Sequence, residues 1–178
     1  MKTRIKQLYQ GSIVSLNIEQ VQLPNGRDCE LEIIHHPGGV AIVAMNDQNE
    51  LCLLRQYRHA AGGWIWEIPA GKLEANEAHN LTAVRELQEE AGIRAGTWHY
   101  FGKMISSPGV FTEVVHLYLA TQLSPTQLEH EHAEVIEVHW LPLGKVMHMV
   151  KTGELMDAKS LVALLHLQQY LSDQGDVL

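Results

Sequence analysis

Apolar and polar residues alternate along much of the first seventy positions, which predicts strands rather than helices. Residues 13–23 alternate with one phase slip, Pro24-Asn25-Gly26 follows as a turn, and residues 29–34 read as the returning strand. These two strands predict an antiparallel hairpin. Apolar runs bounded by Gly, Pro or Asn predict the next strands, over residues 40–45, 51–57 and 64–68.

The period changes to that of a helix over residues 77–91. At 100° per residue, Leu81, Val84, Leu87 and Ala91 fall on one side, and Gly92 follows as a helix-ending glycine. After it we predict strands over residues 97–104, 110–120 and 135–141, a polar loop over 122–133, and helices over 143–151 and 158–171. The fold class is therefore α+β, or an α/β/α layering, with a mixed sheet.

The composition fits an ordinary folded domain with a core of its own. The chain has 178 residues, 46% of them hydrophobic and 19% charged, and its formal net charge is −8. This acidity argues against binding to nucleic-acid backbones. No apolar run is long enough to span a membrane and no signal peptide is evident, so we expect no membrane partner. Cys29 and Cys52 read as free thiols of a reducing compartment, which places the protein in the cytoplasm.

Three carboxylates lie close together on the predicted helix. Glu86, Glu89 and Glu90 fall within an arc of about 100°, on the side opposite the apolar residues. Most such clusters are solvated faces whose like charges repel. The alternative is a site for divalent cations, and ligands that are all oxygen favour Mg²⁺ or Mn²⁺ over zinc.

The spacing of residues from Gly71 to Ile93 decides between these interpretations. Gly71, Glu77, Arg85-Glu86-Leu87, Glu89-Glu90 and Gly92-Ile93 stand at the intervals of the Nudix box, with no mismatch. The chain therefore resembles the Nudix hydrolases, which hydrolyse a nucleoside diphosphate linked to another group. The resemblance implies an α/β/α sandwich with a mixed sheet and divides the chain into an N-terminal hairpin extension (residues 1–36) and a hydrolase domain (residues 37–178).

The resemblance also implies roles for residues of the box. Glu86 and Glu90 would be the main ligands of Mg²⁺, with Mn²⁺ as the alternative, and Glu89 would assist in binding or catalysis. The Ala70 carbonyl would be a further metal ligand. Arg85 would orient the acidic cluster through Glu77 or Glu89.

Residues outside the box resemble the branch that hydrolyses ADP-ribose and nucleotide sugars. They are Leu54 to Arg58, Glu67 to Gly71, and a later group from Ser107 to Ala120. The products from ADP-ribose would be AMP and ribose 5-phosphate. The candidate substrate contacts have ordinary alternatives: strand-end charge for the arginines and core packing for the tryptophan. These candidates are Arg58, Arg55, Glu67, Pro108 and Trp64.

Similar enzymes supply one more catalytic carboxylate from a loop before the last strand. Glu134 matches that position best, and Glu131 is the nearest substitute because His132 stands where many relatives carry an acid. Two alternatives remain: the loop is a solvated acidic connection, or the base is Glu89.

Three further questions stay open at this point. GDP-mannose or a broader set of nucleotide sugars is the alternative substrate class. A catalytically inactive, nucleotide-sensing module is the alternative class of function, which the intact box disfavours. We also expect a homodimer, since a lone hairpin is marginal in water and similar enzymes pack this segment across a two-fold axis; the alternative is that the hairpin covers its own domain.

Overall fold

A computed structural model describes residues 4–128 and 135–175. The chain divides into two compact units, one formed by Met1–Gly38 with Ile105–Val114 and the other by Gly39–Met104 with Val115–Leu178. The elements in chain order are β1 (Arg4–Gln10), β2 (Ser15–Gln22), β3 (Asp28–His35), β4 (Gly39–Ala44), β5 (Glu50–Arg58), β6 (Gly63–Glu67), β7 (Ala70–Lys72), α1 (His79–Ala91), β8 (Ile93–Ile105), β9 (Val114–Pro125), β10 (Ile136–Pro142), α2 (Leu143–Thr152) and α3 (Ala158–Gln174).

The first unit contains the predicted hairpin, but as part of a larger sheet. β2 and β3 pair antiparallel around the turn at Gly26, whose positive φ of 81° suits glycine. β1 adds a third strand on the outer edge of β2. The prediction of a two-stranded hairpin was therefore incomplete. Every residue of β1 is exposed and its sequence, RIKQLYQ, shows little alternation, so no hydrophobic pattern marked it as a strand.

The start of β9 also differs from the prediction. β9 begins at Val114, whereas the sequence predicted a strand from Val110. The residues in between instead continue the first unit: Ile34 N–H donates to the Val110 carbonyl at 2.7 Å, and Thr112 N–H donates to the Ile34 carbonyl at 3.0 Å. Backbone pairing with β3 thus interrupts the apolar run.

The second unit is built on two sheets and three helices. One sheet has the order β10-β5-β6, and the other has the order β7-β4-β9-β8. β4 pairs parallel with β9 and antiparallel with β7, so the second sheet is mixed, as predicted. All six residues of β4 are buried, which explains why its sequence is continuously apolar.

Alternate residues of β4 contribute to two separate hydrophobic clusters. Ala41 and Val43 belong to the cluster that includes residues of α2 and α3. Val40 and Ile42 belong to the cluster that includes Ala83 and Leu87 of α1. Helices therefore pack on both sides of the strands, which confirms the predicted α+β class with its α/β/α layering.

The helices lie close to their predicted positions. α1 begins at His79, two residues later than predicted, and ends at Ala91, which is followed by Gly92 with a φ of 65°. α3 begins after Asp157, whose carboxylate accepts a hydrogen bond from Ser160 N–H. Across the described ranges 4–128 and 135–175, no helix is long and apolar enough to cross a membrane.

Candidate active site

Helix α1 buries its carboxylates and exposes much of its predicted apolar side. Glu86 is 7% exposed and Glu90 is 2% exposed, whereas Leu81 is 59% and Val84 is 44% exposed. An apolar side of a helix normally faces the core, but Leu81 and Val84 face solvent here. The buried arc is centred on the carboxylates and is formed by Thr82, Ala83, Glu86, Leu87 and Glu90.

Arg85 holds three of the nearby carboxylates at once. Its Nη1 donates to Glu86 Oε1 at 2.8 Å and to Glu89 Oε2 at 2.9 Å. Its Nε and Nη2 donate to Glu77 Oε1 and Oε2 at 3.0 and 2.9 Å. These bonds lower the pKa of Glu77 to about 2 and raise the pKa of Arg85. Arg85 therefore binds both Glu77 and Glu89 rather than one of them, and its role in catalysis stays a prediction.

A buried threonine that the sequence did not point to also holds Glu77. Thr82 is fully buried, and its hydroxyl donates to Glu77 Oε2 at 2.9 Å. Glu74 N–H donates to the same oxygen at 3.3 Å. Glu77 is thereby fixed just before α1, where it can form two bonds with Arg85.

Strand β7 runs beside the two buried carboxylates. Ala70 N–H donates to Glu90 Oε2 at 2.7 Å. Gly71 approaches Glu86 so closely that a Cβ at this position would lie 1.8 Å from the Glu86 Cδ. β4 holds the strand in place, since Val40 pairs with Gly71. The structure thus brings Ala70 and Gly71 of β7 beside Glu90 and Glu86 of α1.

The donor chemistry of this cluster suits a hard divalent cation. Its side chains supply only oxygen ligands, and two of its carboxylates lie buried one helical turn apart. In the part of the chain that the structure describes, however, no group of three or more His, Cys, Asp or Glu side chains is arranged to hold a metal ion. Arg85 and the Ala70 N–H instead form hydrogen bonds with carboxylate oxygens here. The assignment of individual metal ligands stays a prediction.

Arg58 and Glu67, two of the predicted substrate contacts, bind each other. Arg58 Nε donates to Glu67 Oε1 at 2.7 Å, and Arg58 Nη2 donates to Oε2 at 3.1 Å. Burial alone would raise the pKa of Glu67, but the bonds from Arg58 and the charge of Lys159 lower it. Burial likewise acts to lower the pKa of Arg58, but the bond to Glu67 and the charges of Glu67 and Glu90 raise it. The Arg58 side chain is 40% exposed and that of Glu67 is 2% exposed, so the arginine lies on the solvent side of the pair.

Arg55 and Trp64 lie on the opposite face of the same sheet. Successive residues of a strand point to opposite faces, so Arg55 and Arg58 point in opposite directions. The Arg55 guanidinium lies 5.4 Å from the centre of the Trp64 ring, and Trp64 is 42% exposed. These two residues form an exposed pair that contains none of the box carboxylates.

The remaining predicted site residues belong to the first unit or lie outside the described residues. Pro108 belongs to the first unit, whereas the box carboxylates belong to the second, so its predicted role stays a prediction. Glu131 and Glu134 lie outside the described residues, so the predictions made for them stay predictions.

Polar residues at the beginning of α3, which no sequence motif marked, contact Glu67 and its neighbour. Lys159 Nζ contacts Glu67 Oε2 and lies 2.9 Å from Asp157 Oδ2. The Ser160 hydroxyl accepts a hydrogen bond from Ile68 N–H at 3.0 Å. Asp157 was recognisable as a helix N-cap, but nothing in the local sequence indicated a partner about ninety residues earlier.

A helix that buries paired glutamates against a short strand, within a mixed sheet covered by helices on both sides, is the arrangement of a Nudix domain. The chain belongs to this family: the NUDIX domain model matches residues 35–164. The resemblance found in the sequence is confirmed.

Known proteins similar to this chain include enzymes and a regulator. It is 38% identical to an ADP-ribose pyrophosphatase of Bacillus subtilis (strain 168) over 92% of this chain and 89% of that protein. It is 36% identical to a methanol dehydrogenase activator of Bacillus methanolicus over 93% of this chain and 90% of that protein. A crystal structure of an ADP compounds hydrolase superposes with a TM-score of 0.84 at 23% identity, covering 99% of this chain and 98% of that one, which confirms the fold.

Proposed function

We propose that the protein is a hydrolase that cleaves the diphosphate bond of ADP-ribose or a related nucleoside diphosphate sugar with the help of a divalent cation. Water adds to one phosphorus, the P–O–P bond breaks, and the products are a nucleoside monophosphate and a sugar phosphate. The ADP-ribose pyrophosphatase relative supports this substrate class. The observation that carries the proposal is the pair of buried carboxylates, Glu86 and Glu90, beside β7.

The buried carboxylates of Glu86 and Glu90 would hold the cation, with Glu89 and the Ala70 carbonyl assisting. Mg²⁺ is the proposed ion, with Mn²⁺ as the alternative. When bound, such an ion neutralises the diphosphate and makes water more acidic. Arg85 orients Glu86 and Glu89 because its guanidinium binds both carboxylates.

Arg58 would bind the diphosphate. Its Nε and one Nη2 proton bind Glu67, while the arginine remains partly exposed to solvent. A guanidinium held along one edge presents its remaining N–H groups in a fixed direction, which suits phosphate oxygens. The general base that takes the proton from water would be Glu134 or Glu131, with Glu89 as the alternative inside the box.

Product analysis tests the proposal. We expect ADP-ribose and Mg²⁺ to give AMP and ribose 5-phosphate, with GDP-mannose as the competing substrate. Glu90→Gln should lower kcat about 10³-fold or more at saturating Mg²⁺, because it removes a charged metal ligand while glutamine keeps the helix propensity. Near-normal turnover by Glu90→Gln would refute the assignment, and ¹⁸O-labelled water would show which phosphorus is attacked.

A nucleotide-sensing role is the alternative class of function, and the name of the Bacillus methanolicus relative describes an activator of another enzyme. The complete box favours catalysis. A sensing module would bind ADP-ribose without releasing AMP, so the same product assay separates the two functions.

We also propose that the first unit serves a homodimer. Its three-stranded sheet exposes Ile5, Leu8 and Tyr9 of β1 and Leu31 of β3. Small sheets need a partner that covers apolar side chains, and two-fold dimers are the commonest assembly. Light scattering should give twice the 20.0 kDa chain mass. A fully active monomer would favour the alternative that this sheet covers its own chain.

The cytoplasmic location of the protein stays a prediction.

A further inference from the structure

The first turn of α3 is joined to the residues that lead into the box. Lys159 Nζ contacts Glu67 Oε2, and Asp157 Oδ2 lies 2.9 Å from the same ammonium group. The neighbouring Ser160 hydroxyl donates to Asp157 Oδ2 at 2.6 Å and accepts from Ile68 N–H at 3.0 Å. Two consecutive residues of α3 therefore hold Glu67, the last residue of β6, and Ile68, which follows it.

The carboxylate of Glu67 is the point where this connection meets Arg58. Glu67 is 2% exposed and accepts bonds from two cations, Arg58 and Lys159. Each Oε2 bond restricts the rotation of the carboxylate, and the carboxylate in turn fixes the guanidinium plane of Arg58. Removing Lys159 would leave Oε2 with the 3.1 Å bond from Arg58 Nη2 as its one hydrogen bond among the described residues.

The charges of this group balance only when Lys159 is present. Arg58 and Lys159 supply two positive charges, and Glu67 and Asp157 supply two negative charges. Without the ammonium group the cluster would carry one net negative charge beside Arg58. Because the group is largely buried, that charge would be poorly screened and would oppose the binding of an anionic diphosphate.

We propose that Lys159 is a positioning residue that acts through Glu67 to hold Arg58 in the direction needed for diphosphate binding, and that its charge keeps the group around Arg58 neutral. This inference rests on the proposed function, because it assigns Arg58 to the diphosphate. Lys159 touches neither the box carboxylates nor Ala70 in any contact described above, so its effect should fall on substrate binding and not on the cation.

The test is a comparison of Lys159→Met with Lys159→Arg in the full-length protein. Lys159→Met keeps the aliphatic length of the side chain and removes the charge, and we expect it to raise the KM for ADP-ribose about tenfold or more while kcat changes less than threefold. Loss of an interaction made equally in the ground and transition states gives this split. Lys159→Arg keeps the positive charge and should have a KM close to that of the wild type. Lys145→Met, at an exposed position on α2, controls for the change in net charge.

A second measurement separates positioning from general damage to the fold. Mn²⁺ affinity, measured by electron paramagnetic resonance without substrate, should be unchanged in Lys159→Met. If Lys159→Met folds poorly, Lys159→Gln supplies a neutral donor to Glu67 and should show the same rise in KM. With a wild type that hydrolyses ADP-ribose, an unchanged KM in Lys159→Met would overturn the inference. The inference would also be overturned if Lys159→Met raised KM and lowered kcat and Mn²⁺ affinity by the same factor. A wild type that binds Mn²⁺ but hydrolyses neither ADP-ribose nor another nucleoside diphosphate sugar would refute the proposed function itself, and this inference with it.

Discussion

The contact between Gly71 and Glu86 gives the sharpest test of the site. A Cβ at residue 71 would lie 1.8 Å from Glu86 Cδ and 2.0 and 2.2 Å from its two oxygens. Non-bonded carbon atoms pack about 3.5 Å apart, so Gly71→Ala would displace the carboxylate by about 1.7 Å. The backbone at residue 71 has no positive φ, so the substitution acts through this contact rather than through backbone strain.

The size of that displacement predicts what Gly71→Ala loses. Metal–ligand distances tolerate changes of about 0.2 Å, and a misplacement of 1 Å in a catalytic group can lower the rate about 10²-fold. We therefore expect kcat to fall about 10²- to 10³-fold and Mn²⁺ affinity to fall with it. Glu86 would also lose its 2.8 Å bond to Arg85, which should lower the free energy of unfolding by about 1–3 kcal/mol.

The assays are Mg²⁺-dependent release of AMP, Mn²⁺ binding and denaturant unfolding. Gly144→Ala is the control, because nothing lies within 4 Å of a Cβ at that position. In a Glu86→Ala background the stability cost of Gly71→Ala should disappear, since the carboxylate it displaces is absent. A Gly71→Ala protein with wild-type Mn²⁺ affinity and turnover would show that the close approach of Gly71 does not set the position of Glu86.

Two further predictions concern pH and the outer side of α1. Burial lowers the pKa of His116, and the charges of His79 and Lys103 lower it further. An unfolded histidine titrates near pH 6.5, so the unfolded chain binds this proton more readily than the folded chain. The free energy of unfolding should therefore fall as the pH drops below about 6.5. His116→Gln should flatten the fall in melting temperature between about pH 7.5 and 5.5. An unchanged slope in His116→Gln would contradict the assignment. Leu81→Gln should change the free energy of unfolding by less than about 0.5 kcal/mol, because Leu81 is 59% exposed. If urea unfolding of the isolated protein showed that this free energy falls by more than about 2 kcal/mol, Leu81 would have to be covered in solution.

Hydrophobic pattern predicted the fold well where one side of an element is buried by apolar residues alone. The buried run of β4 and the apolar turns of α2 and α3 were found at nearly their observed positions. β1 was missed because backbone pairing with β2 defines it and its side chains remain exposed. Periodicity carries no information about a strand of that kind.

Helix α1 shows a different limit of the hydrophobic pattern. Its apolar residues are clearly spaced on one side of the helix, but that side is not the buried one. Periodicity assumes that burial follows hydrophobicity, but here Glu86 and Glu90 are buried with Ala83 and Leu87. The spacing of the box identified the carboxylates correctly, whereas their orientation depends on Arg85 and on β7. The bond between Lys159 and Glu67 could not be predicted, because it joins residues ninety-two positions apart.

The local charges explain how so acidic a chain could bind a diphosphate. Around the candidate site the described residues include six carboxylates, Glu67, Glu77, Glu86, Glu89, Glu90 and Asp157, and three cations, Arg58, Arg85 and Lys159. With all nine ionised the group carries a net charge of −3, so an anionic substrate would be repelled. One divalent cation reduces that charge to −1 and two change its sign. Removing the cation should therefore weaken diphosphate binding more than it lowers the free energy of unfolding, because each carboxylate already has a protein partner.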